Sequence, residues 1–300
     1  MYLFNKDITT WEKWGKAFQD TDAFSQLLKH IFKTEGLPLL QIDSSTPGTN
    51  AVFDCGNYFI KIYAPKETGI SGNEADGEFL ALRRAAAQKV PCPKIIGRGQ
   101  VHDKYLFRYI ILEKIIGTPA AAYLPECSAD KKSEFVKSLN DILSKINTLA
   151  PNTSKKLKER VYSNGRWDIF STHIKEQVHS FVSGINISDF VYVHGDLTDD
   201  NVIINEKGLN IIDFGDAQPA PMYYEYPPII FELFGHDKEL TRLFAESRKD
   251  FQINLFRATL LHDFGGYFVH DICVSKLGIQ PEELSDITVI QDYIKSLFVN

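Results

Sequence analysis

The stretch from Val191 to Ile204, VYVHGDLTDDNVII, places a cluster of acidic and amide side chains between two β-branched runs. Four of these side chains fall within six residues, namely Asp196, Asp199, Asp200 and Asn201. Carboxylates repel one another and are costly to hold beside apolar strands. Their concentration here indicates a functional loop rather than an ordinary turn.

A second acidic position follows this loop. The strand VIIN is followed by the turn NEKG and by the run LNII, which leads into Asp213. Because two short strands joined by a tight turn have neighbouring ends, Asn201 and Asp213 are predicted to lie at the same end, with Asp196 nearby. Mg²⁺ prefers oxygen ligands and usually takes one or two protein carboxylates, with phosphate and water completing its shell. Asn201 and Asp213 are therefore candidate Mg²⁺ ligands, and Asp196 is left for a different task.

Lys61 is a lone cation within the apolar run YFIKIY. Strand alternation places it on the same face as Phe59 and Tyr63. A buried ammonium group needs an anion. Glu78 on the following predicted helix is one candidate partner, with Glu74 as its competitor one turn earlier, and a phosphate group is another. The order lysine, glutamate, aspartate, asparagine, aspartate indicates a site that holds Mg²⁺ and a polyphosphate.

Residues 1–113 combine helical and β-rich patterns. Two N-terminal segments show helical spacing of aromatic and aliphatic residues, and Thr9 with Glu12 forms a candidate capping box for the first of them. The runs LLQI, AVFDC and YFIKIY, separated by turn residues, predict three strands. A helix and the strands KIIGRGQ and LFRYIILE complete a predicted five-stranded antiparallel sheet.

Helical spacing dominates residues 114–300 and is interrupted by the short β-rich runs FVYVH, VIIN and LNIIDF. The predicted fold is therefore α+β and two-lobed, with a small five-stranded N-lobe carrying one helix and a larger, mostly helical C-lobe. We predict an N-terminal helical extension over residues 1–36, the N-lobe over 37–113 and the C-lobe over 114–300.

Composition narrows the range of partners and compartments. Lys plus Arg is 33 and Asp plus Glu is 39, so the net charge is −6, and no basic stripe indicates binding to nucleic acid or to an anionic membrane. The N-terminus lacks the pattern of a signal peptide, and no run approaches the roughly 18 apolar residues of a membrane span. The four cysteines are scattered without a CxxC pair. A cytoplasmic protein without a disulfide framework is expected.

The sequence resembles the aminoglycoside phosphotransferase and choline kinase-like family, which has a protein-kinase-like fold. The resemblance rests on five segments that follow one another within residues 39–226, namely YFIKIY, GEFLALRRAAAQKVPCP, LEKIIGTP, HGDLTDDN and IIDFGDA. The tripeptide DFG alone would be weak support. The order and the spacing of all five segments together make the resemblance strong.

The resemblance implies an enzyme that uses ATP or GTP with Mg²⁺ to phosphorylate a hydroxyl group. It implies that Asp196 orients the acceptor hydroxyl and receives its proton, and that Asn201 and Asp213 bind Mg²⁺. It also implies that Lys61, paired with Glu78, contacts the α- and β-phosphates. Positioning and charge neutralisation are the main work of a phosphoryl-transfer enzyme, which agrees with these roles.

The other nucleotide contacts implied by the resemblance lie in the N-lobe. The turn PGTN is placed over the phosphates, with the candidate residues Gly48, Thr49 and Asn50. The linker Leu112–Ile115 is placed against adenine, bonded through the carbonyl of Glu113 and the amide of Ile115. Phe59 either stacks on the base or belongs to the core.

Three departures separate the chain from protein kinases. The phosphate loop contains Gly48 as its single glycine, the triplet His194-Gly195-Asp196 stands where protein kinases have HRD, and only eight residues separate Gly215 from YEYPP. These features favour a small acceptor of the aminoglycoside, choline or sugar kind. A protein kinase acting on a partner or host protein and a non-catalytic nucleotide-binding regulator stay open as alternatives.

The acceptor side is less determined by the sequence. Asp199 and Asp200 either attract a cationic acceptor or are solvated loop acids, and Asp216 either supports Mg²⁺ binding or is likewise solvated. The segments GRWDIF and MYYEYPP form acceptor walls or brace the C-lobe, and their candidates are Trp167, Asp168, Tyr223 and Tyr224. His194 is interpreted as a structural residue that holds its loop.

Overall fold

The computed structural model describes residues 2–45, 48–69 and 74–299 and has an α+β fold. It divides into two compact units. Unit 1 comprises Met1–Ala87 and Pro91–Ile116, and unit 2 comprises Gln88–Val90 and Gly117–Asn300. The domain boundaries expected after residues 36 and 113 stay predictions.

Unit 1 consists of one antiparallel sheet and helices. Its helices are α1 (Trp11–Gly15), α2 (Thr21–Thr34) and α3 (Glu74–Ala87), with a 3₁₀ turn at Lys66–Thr68. Its strands are β1 (Asp43–Ser44), β2 (Ala51–Asp54), β3 (Tyr58–Ile62), β4 (Ile95–His102) and β5 (Leu106–Glu113). Their order in the sheet is β1-β2-β3-β5-β4. The predicted five-stranded antiparallel sheet with one inserted helix is confirmed.

The N-terminal residues of unit 1 pack into the same core as its sheet. Phe4, Trp14 and Phe24 are fully buried, and the Phe24 ring contacts those of Phe53 on β2 and Phe107 on β5. The chain start is held by Asp103, whose carboxylate accepts hydrogen bonds from the amides of residues 3 and 4. The aromatic pattern of the N-terminal segments therefore reflects burial against the sheet.

Two local predictions in unit 1 were wrong. Thr10 rather than Thr9 caps α1, since its hydroxyl accepts the amide hydrogen of Lys13. The run LLQI (residues 39–42) is not a strand, and the pairing strand follows it at Asp43–Ser44. Leu39 and Ile42 are apolar because they pack against the core as irregular chain, not because they alternate within a sheet.

Unit 2 is mostly helical with short strands. Its helices are α4 (Ala120–Tyr123), α5 (Ala129–Ile146), α6 (Ser154–Tyr162), α7 (Thr172–Gly184), α8 (Lys238–Ala245), α9 (Phe251–Leu261), α10 (Gly265–Asp271) and α11 (Thr288–Ser296). Its strands are β6 (Thr118–Pro119), β7 (Phe190–Val193), β8 (Val202–Asn205), β9 (Gly208–Ile211) and β10 (Gln218–Pro221). Single 3₁₀ turns lie at Leu124–Glu126, Gly165–Trp167, Met222–Glu225 and Pro281–Glu283, and π-helical segments lie at Pro228–Leu233 and Ile272–Leu277.

The strands of unit 2 form two small sheets that frame the acidic loop. β8 pairs antiparallel with β9 and with β6, and β7 pairs antiparallel with β10. The loop between β7 and β8 contains residues 194–201, so both of its ends are fixed by hydrogen-bonded strands. Over the described ranges, no helix combines the length and the apolar character needed to cross a membrane.

Candidate active site

The residue triplet after β7 is held in a sharp turn. Gly195 has a φ of +82°, and a Cβ atom at this position would lie 2.8 Å from the carbonyl oxygen of Asp216. Any larger residue would therefore be strained and would collide with the backbone. This geometry explains why glycine stands between His194 and Asp196 in this chain.

His194 ties the triplet to the end of β9. Its Nδ1 lies 3.2 Å from the amide nitrogen of Asp196, and its Nε2 lies 3.0 Å from the carbonyl oxygen of Ile212. An amide can only donate, so Nδ1 accepts and Nε2 carries the proton that is donated to Ile212. The ring is fully buried and packs edge-on against Phe214. His194 is thus a structural residue.

Asn201 holds the carboxylate of Asp196. Its Nδ2 donates to the backbone carbonyl of Asp196 at 2.8 Å and to Asp196 Oδ2 at 3.0 Å. The carboxamide therefore directs its oxygen, Oδ1, to the opposite side. The same asparagine thus orients one predicted functional residue and leaves its own side-chain oxygen outside these two bonds.

The register of β8 and β9 places Asn201 beside Asp213. Val202 pairs with Ile211, and the amide of Ile212 donates to the carbonyl of Asn201 at 3.0 Å. Asp213 follows directly, is exposed, and has a φ of +56°, with its Oδ1 accepting the amide hydrogen of Gly215 at 3.3 Å. The predicted placement of both residues at the same end of the two strands agrees with this register.

The environment of Asp196 favours its protonated form. Burial, followed by the charges of Asp216 and Asp213, raises the pKa of Asp196 to about 7, and the hydrogen bond from Asn201 acts in the opposite direction. The charges of Asp216 and Asp213 thus act against the ionised form of Asp196. A cation bound nearby would act in the opposite direction.

The donor set fits Mg²⁺ better than a transition metal. Asn201 offers an amide oxygen and Asp213 an exposed carboxylate, both of the hard oxygen type that Mg²⁺ prefers. Within the described part of the chain, no group of three or more His, Cys, Asp and Glu side chains is placed to hold a metal ion. A site with few protein ligands suits a cation that keeps water and phosphate oxygens in its shell.

Glu225 is a site residue that the sequence reading missed. It lies at the end of the turn Met222–Glu225 and is 1% exposed. Its Oε1 accepts the amide hydrogen of His194 at 2.6 Å and its Oε2 that of Gly195 at 3.1 Å. A buried carboxylate requires such donors. The single acid within the aromatic segment MYYEYPP was the available signal.

Replacing Glu225 with glutamine is expected to lower kcat about tenfold and to leave both KM values nearly unchanged. The amide nitrogen of glutamine would face a backbone N–H, so one of the two bonds that orient the His194–Asp196 turn would be lost. Steady-state kinetics would test this, with Glu206→Gln, an exposed substitution in the β8–β9 turn, as the matched control. Unchanged turnover in Glu225→Gln would show that Glu225 does not position the catalytic turn.

The Glu225→Gln variant should also change how the stability of the folded protein depends on pH. Burial raises the pKa of Glu225 to about 7 from an ordinary value of 4.5, although the N–H donors act against this shift. The proton is therefore bound more tightly in the folded state. The contribution of Glu225 to stability is present below about pH 4.5 and lost as the pH rises through about 7. Urea unfolding at a series of pH values should show Glu225→Gln gaining stability relative to wild type across that interval.

In unit 1, Lys61 and Glu78 form an ion pair. Lys61 Nζ lies 2.8 Å from Glu78 Oε2, and the two side chains are 11% and 2% exposed. The hydroxyl of Tyr63 donates to the same carboxylate oxygen at 2.6 Å. Glu74 instead accepts a hydrogen bond from Asn50. The competition between the two glutamates is thus decided for Glu78, and the contact of Lys61 with phosphates stays a prediction.

The predicted phosphate loop is partly described. Gly48 and Thr49 are exposed, whereas Asn50 is buried. Asn50 Oδ1 accepts the amide hydrogen of Ala64 at 3.1 Å, and its Nδ2 donates to Glu74 at 3.3 Å. The Asn50 side chain therefore braces the sheet, and the backbone is the part of this residue suited to a phosphate. Thr46 and Pro47 of the turn lie outside the described residues.

Phe59 and the linker after β5 lie at the sheet end of unit 1. Phe59 is partly buried, opposite Leu112, and Lys114 Nζ lies 5.5 Å from its ring centre. The amides of Glu113 and Lys114 donate to the carbonyls of residues 94 and 57. Adenine contacts by the Glu113 carbonyl, the Ile115 amide and the Phe59 ring stay predictions.

The aromatic acceptor candidates are mostly interior. Trp167 and Tyr224 are buried, and Tyr224 stacks on His262 at 4.0 Å between ring centres. The side chains of Trp167 and Tyr224 therefore pack inside unit 2 and stabilise it. Tyr223 is partly buried, and Asp168 is exposed and paired with Lys175 at 3.3 Å. Of the four candidates, Tyr223 and Asp168 keep surface available for an acceptor.

Asp199 belongs to a wider acidic group that was not recognised from the sequence. Burial and then the charge of Asp200 raise the pKa of Asp199. Burial, followed by the charges of Asp271 and Asp199, raises the pKa of Glu232, although Glu232 still reaches solvent. Glu232 in turn contributes to the raised pKa of Asp196. We call Asp199, Glu232 and Asp271 the acidic rim.

Comparison with known proteins assigns the chain to a family. Residues 52–235, which are 184 of the 300 residues, match the model of the phosphotransferase enzyme family, APH. The chain therefore belongs to this family and is a kinase-type enzyme that phosphorylates a hydroxyl group. No curated protein sequence matches the chain.

Solved structures show the same fold at low identity. The GDP complex of aminoglycoside 2'-phosphotransferase-IIIa has a TM-score of 0.62 and 13% identity, covering 94% of this chain and 99% of that one. The streptomycin–ATP complex of APH(2")-IIa has a TM-score of 0.58 and 15% identity, with coverages of 92% and 98%. Amicoumacin kinase hAmiN with AMP-PNP, Ca²⁺ and Ami has a TM-score of 0.56 and 14% identity, with 94% of both chains covered. These similarities confirm the predicted protein-kinase-like fold.

Proposed function

We propose that this protein transfers the γ-phosphoryl group of ATP or GTP, with Mg²⁺, to a hydroxyl of a small acceptor of the aminoglycoside, choline or sugar kind. The observation that supports this most directly is the arrangement of Asp196, Asn201 and Asp213. One asparagine binds Asp196 and directs its oxygen to the other side, and the strand register brings Asp213 beside it.

In this proposal each residue has one task. The carboxylate of Asp196 accepts the proton of the acceptor hydroxyl as that oxygen attacks phosphorus. Asn201 and Asp213 hold Mg²⁺, which supplies neutralisation of phosphate charge when bound. Lys61, kept in place by Glu78, contacts the α- and β-phosphates. Rigid support of the His194–Asp196 turn keeps the reacting groups aligned, which is a main source of rate in phosphoryl transfer.

A short segment after Asp213 favours a small acceptor over a protein. Gln218–Pro221 forms β10 and pairs along its whole length with β7, the strand that leads into His194. Residues that would form a long peptide-binding segment in a protein kinase are here part of a sheet. A protein acceptor would need a different platform.

The acidic rim favours a cationic acceptor. The charges of Asp271 and Asp199 act on Glu232, and the charge of Glu232 acts on Asp196. A positively charged group on the acceptor would relieve this repulsion. Structures with the same fold include complexes with kanamycin, streptomycin and gentamicin, which also supports a cationic acceptor.

Replacing Glu232 with glutamine is expected to raise the KM of a cationic acceptor about fivefold, which corresponds to roughly 1 kcal/mol, and to spare the KM of ATP. The reason is the loss of one negative charge from the acidic rim. Glu246→Gln removes the same charge from an exposed position at the end of α8 and serves as the control. An equal acceptor KM in wild type and Glu232→Gln would contradict the proposed acceptor charge.

The proposed function is tested by a turnover panel. Wild-type protein with Mg²⁺ and either ATP or GTP is offered aminoglycosides and other antibiotics, amino alcohols and sugars, and release of the nucleoside diphosphate is measured. The Asp196→Asn variant serves as the negative control for nucleoside diphosphate release. Label transfer to lysate proteins without turnover of any small molecule would favour a protein kinase, and thermal stabilisation by Mg²⁺–ATP without any transfer would favour a nucleotide-binding regulator.

A further inference from the structure

The N-terminal helix α1 is bonded to the predicted phosphate loop. This loop joins β1 to β2, and the structure describes its residues Ser45 and Gly48–Asn50. Trp14 on α1 is fully buried, and its indole Nε1 donates to the carbonyl oxygen of Thr49 at 2.9 Å. An otherwise exposed loop residue is thus tied by its backbone to the core of unit 1.

The donor of this bond is rigidly placed. The Trp14 ring stacks on Phe18 at 6.4 Å and meets Phe24 edge-on at 6.1 Å between ring centres. The hydroxyl of Thr10 caps the first turn of α1. A packed indole has little rotational freedom, so its N–H defines where the Thr49 carbonyl lies.

This bond orients the peptide group that follows Thr49. In a trans peptide the carbonyl and the next N–H point in opposite directions. Because the Thr49 carbonyl faces Trp14 and the core, the amide hydrogen of Asn50 is directed away from α1. A backbone N–H held in this way is the donor that a phosphate oxygen requires.

A second side chain from the same segment reaches the other end of the loop. Gln19, just after α1, places its Nε2 at 3.4 Å from the carbonyl oxygen of Ser45. The amide of Ser45 donates to Val52 on β2 at 3.0 Å. Both described ends of the loop are therefore fixed from the N-terminal segment or from the sheet.

We propose that Trp14, assisted by Gln19, is a positioning residue for the nucleotide phosphates. This inference rests on the proposed function, in which the loop covers those phosphates. The N-terminal helix is then part of the nucleotide site through its effect on the loop backbone, although its own side chains do not touch the nucleotide.

Trp14→Phe tests the proposal because it keeps an aromatic ring in the core and removes the indole donor. Calorimetric titration with Mg²⁺–ATP should show about fivefold weaker binding, the effect of one lost hydrogen bond. Titration with adenosine, which has no phosphate, should be unchanged. This contrast separates loop positioning from a general loss of stability, which would weaken both ligands.

Trp11→Phe is the matched control, since Trp11 lies on the same helix and is 50% exposed. It should bind Mg²⁺–ATP as wild type does. Gln19→Ala, an exposed substitution, should weaken Mg²⁺–ATP about twofold and spare adenosine. Gln19→Ala therefore tests the proposal even if Trp14→Phe does not fold.

Equal weakening of ATP and adenosine in Trp14→Phe would overturn the proposal, as would unchanged ATP binding. If the folded Trp14→Phe protein is not obtained, unchanged ATP binding in Gln19→Ala would overturn it. A wild-type protein that binds neither Mg²⁺–ATP nor Mg²⁺–GTP would instead contradict the proposed function itself.

Discussion

Asp213→Asn is expected to reduce kcat/KM for ATP about 10³-fold, because several kcal/mol of charge stabilisation depend on a bound cation. Asparagine is the informative replacement. Asp213 has a φ of +56°, a conformation that asparagine tolerates better than alanine. The substitution therefore removes the charge while keeping the backbone turn that follows β9.

Two measurements check this expectation. The first is turnover of ATP with the acceptor selected by the panel. The second is the rise in melting temperature caused by ATP, measured once with Mg²⁺ and once with EDTA, since a ligand stabilises the folded state more when it binds more tightly. Asp213→Asn should lose the Mg²⁺-dependent part of that rise.

Asp250→Asn is the control for the same chemical change. Asp250 has a φ of +55°, is exposed, and its side chain makes no capping hydrogen bond to α9. It should retain wild-type turnover and Mg²⁺ dependence. If the melting temperature of Asp213→Asn rose with Mg²⁺–ATP as much as that of wild type, other groups would hold the cation. Asp213 would then not be a metal ligand.

The sequence predicts pairs of site residues well when only a short, regular stretch of chain separates the two residues. Asn201 and Asp213 flank a two-stranded turn whose length fixes which ends meet, and the register of β8 and β9 agrees with that reading. Lys61 was recognisable because a lone cation in an apolar strand needs an anion, and Glu78 supplies it.

The parts that escaped prediction depend on contacts between distant segments. Glu225 bonds amides some thirty residues earlier in the chain, and backbone donors leave no signature in the sequence. The charges of Asp271 and Asp199 act on Glu232 although these residues are far apart in the sequence. Trp14 was recognisable as a core residue, but the direction of its N–H was not.

Errors in the secondary structure have a similar origin. Thr9 and Thr10 are chemically equivalent as helix caps, and the choice depends on where the chain enters α1 after its aromatic contacts are made. In the run LLQI, apolar residues pack on the core without pairing to a strand. Pattern alone cannot separate these two ways of burying an apolar side chain.

Asp196→Asn is expected to lower kcat by about 10²- to 10⁴-fold, the range for loss of a positioned general base. Asparagine keeps an oxygen that can accept the hydrogen bond from Asn201 Nδ2, so the loop geometry should persist. What is lost is the capacity to take a proton from the acceptor hydroxyl. The affinity for Mg²⁺–ATP should therefore stay close to that of wild type.

Kinetics of phosphate transfer and calorimetric titration with Mg²⁺–ATP together test this prediction. Asp189→Asn makes the same chemical change at an exposed acid just before β7 and should be fully active. A large loss of kcat with intact nucleotide binding separates the acceptor side of the reaction from the nucleotide side. If Asp196→Asn retained more than about a tenth of the wild-type kcat, proton acceptance by Asp196 could not be the step that this loop is built to perform.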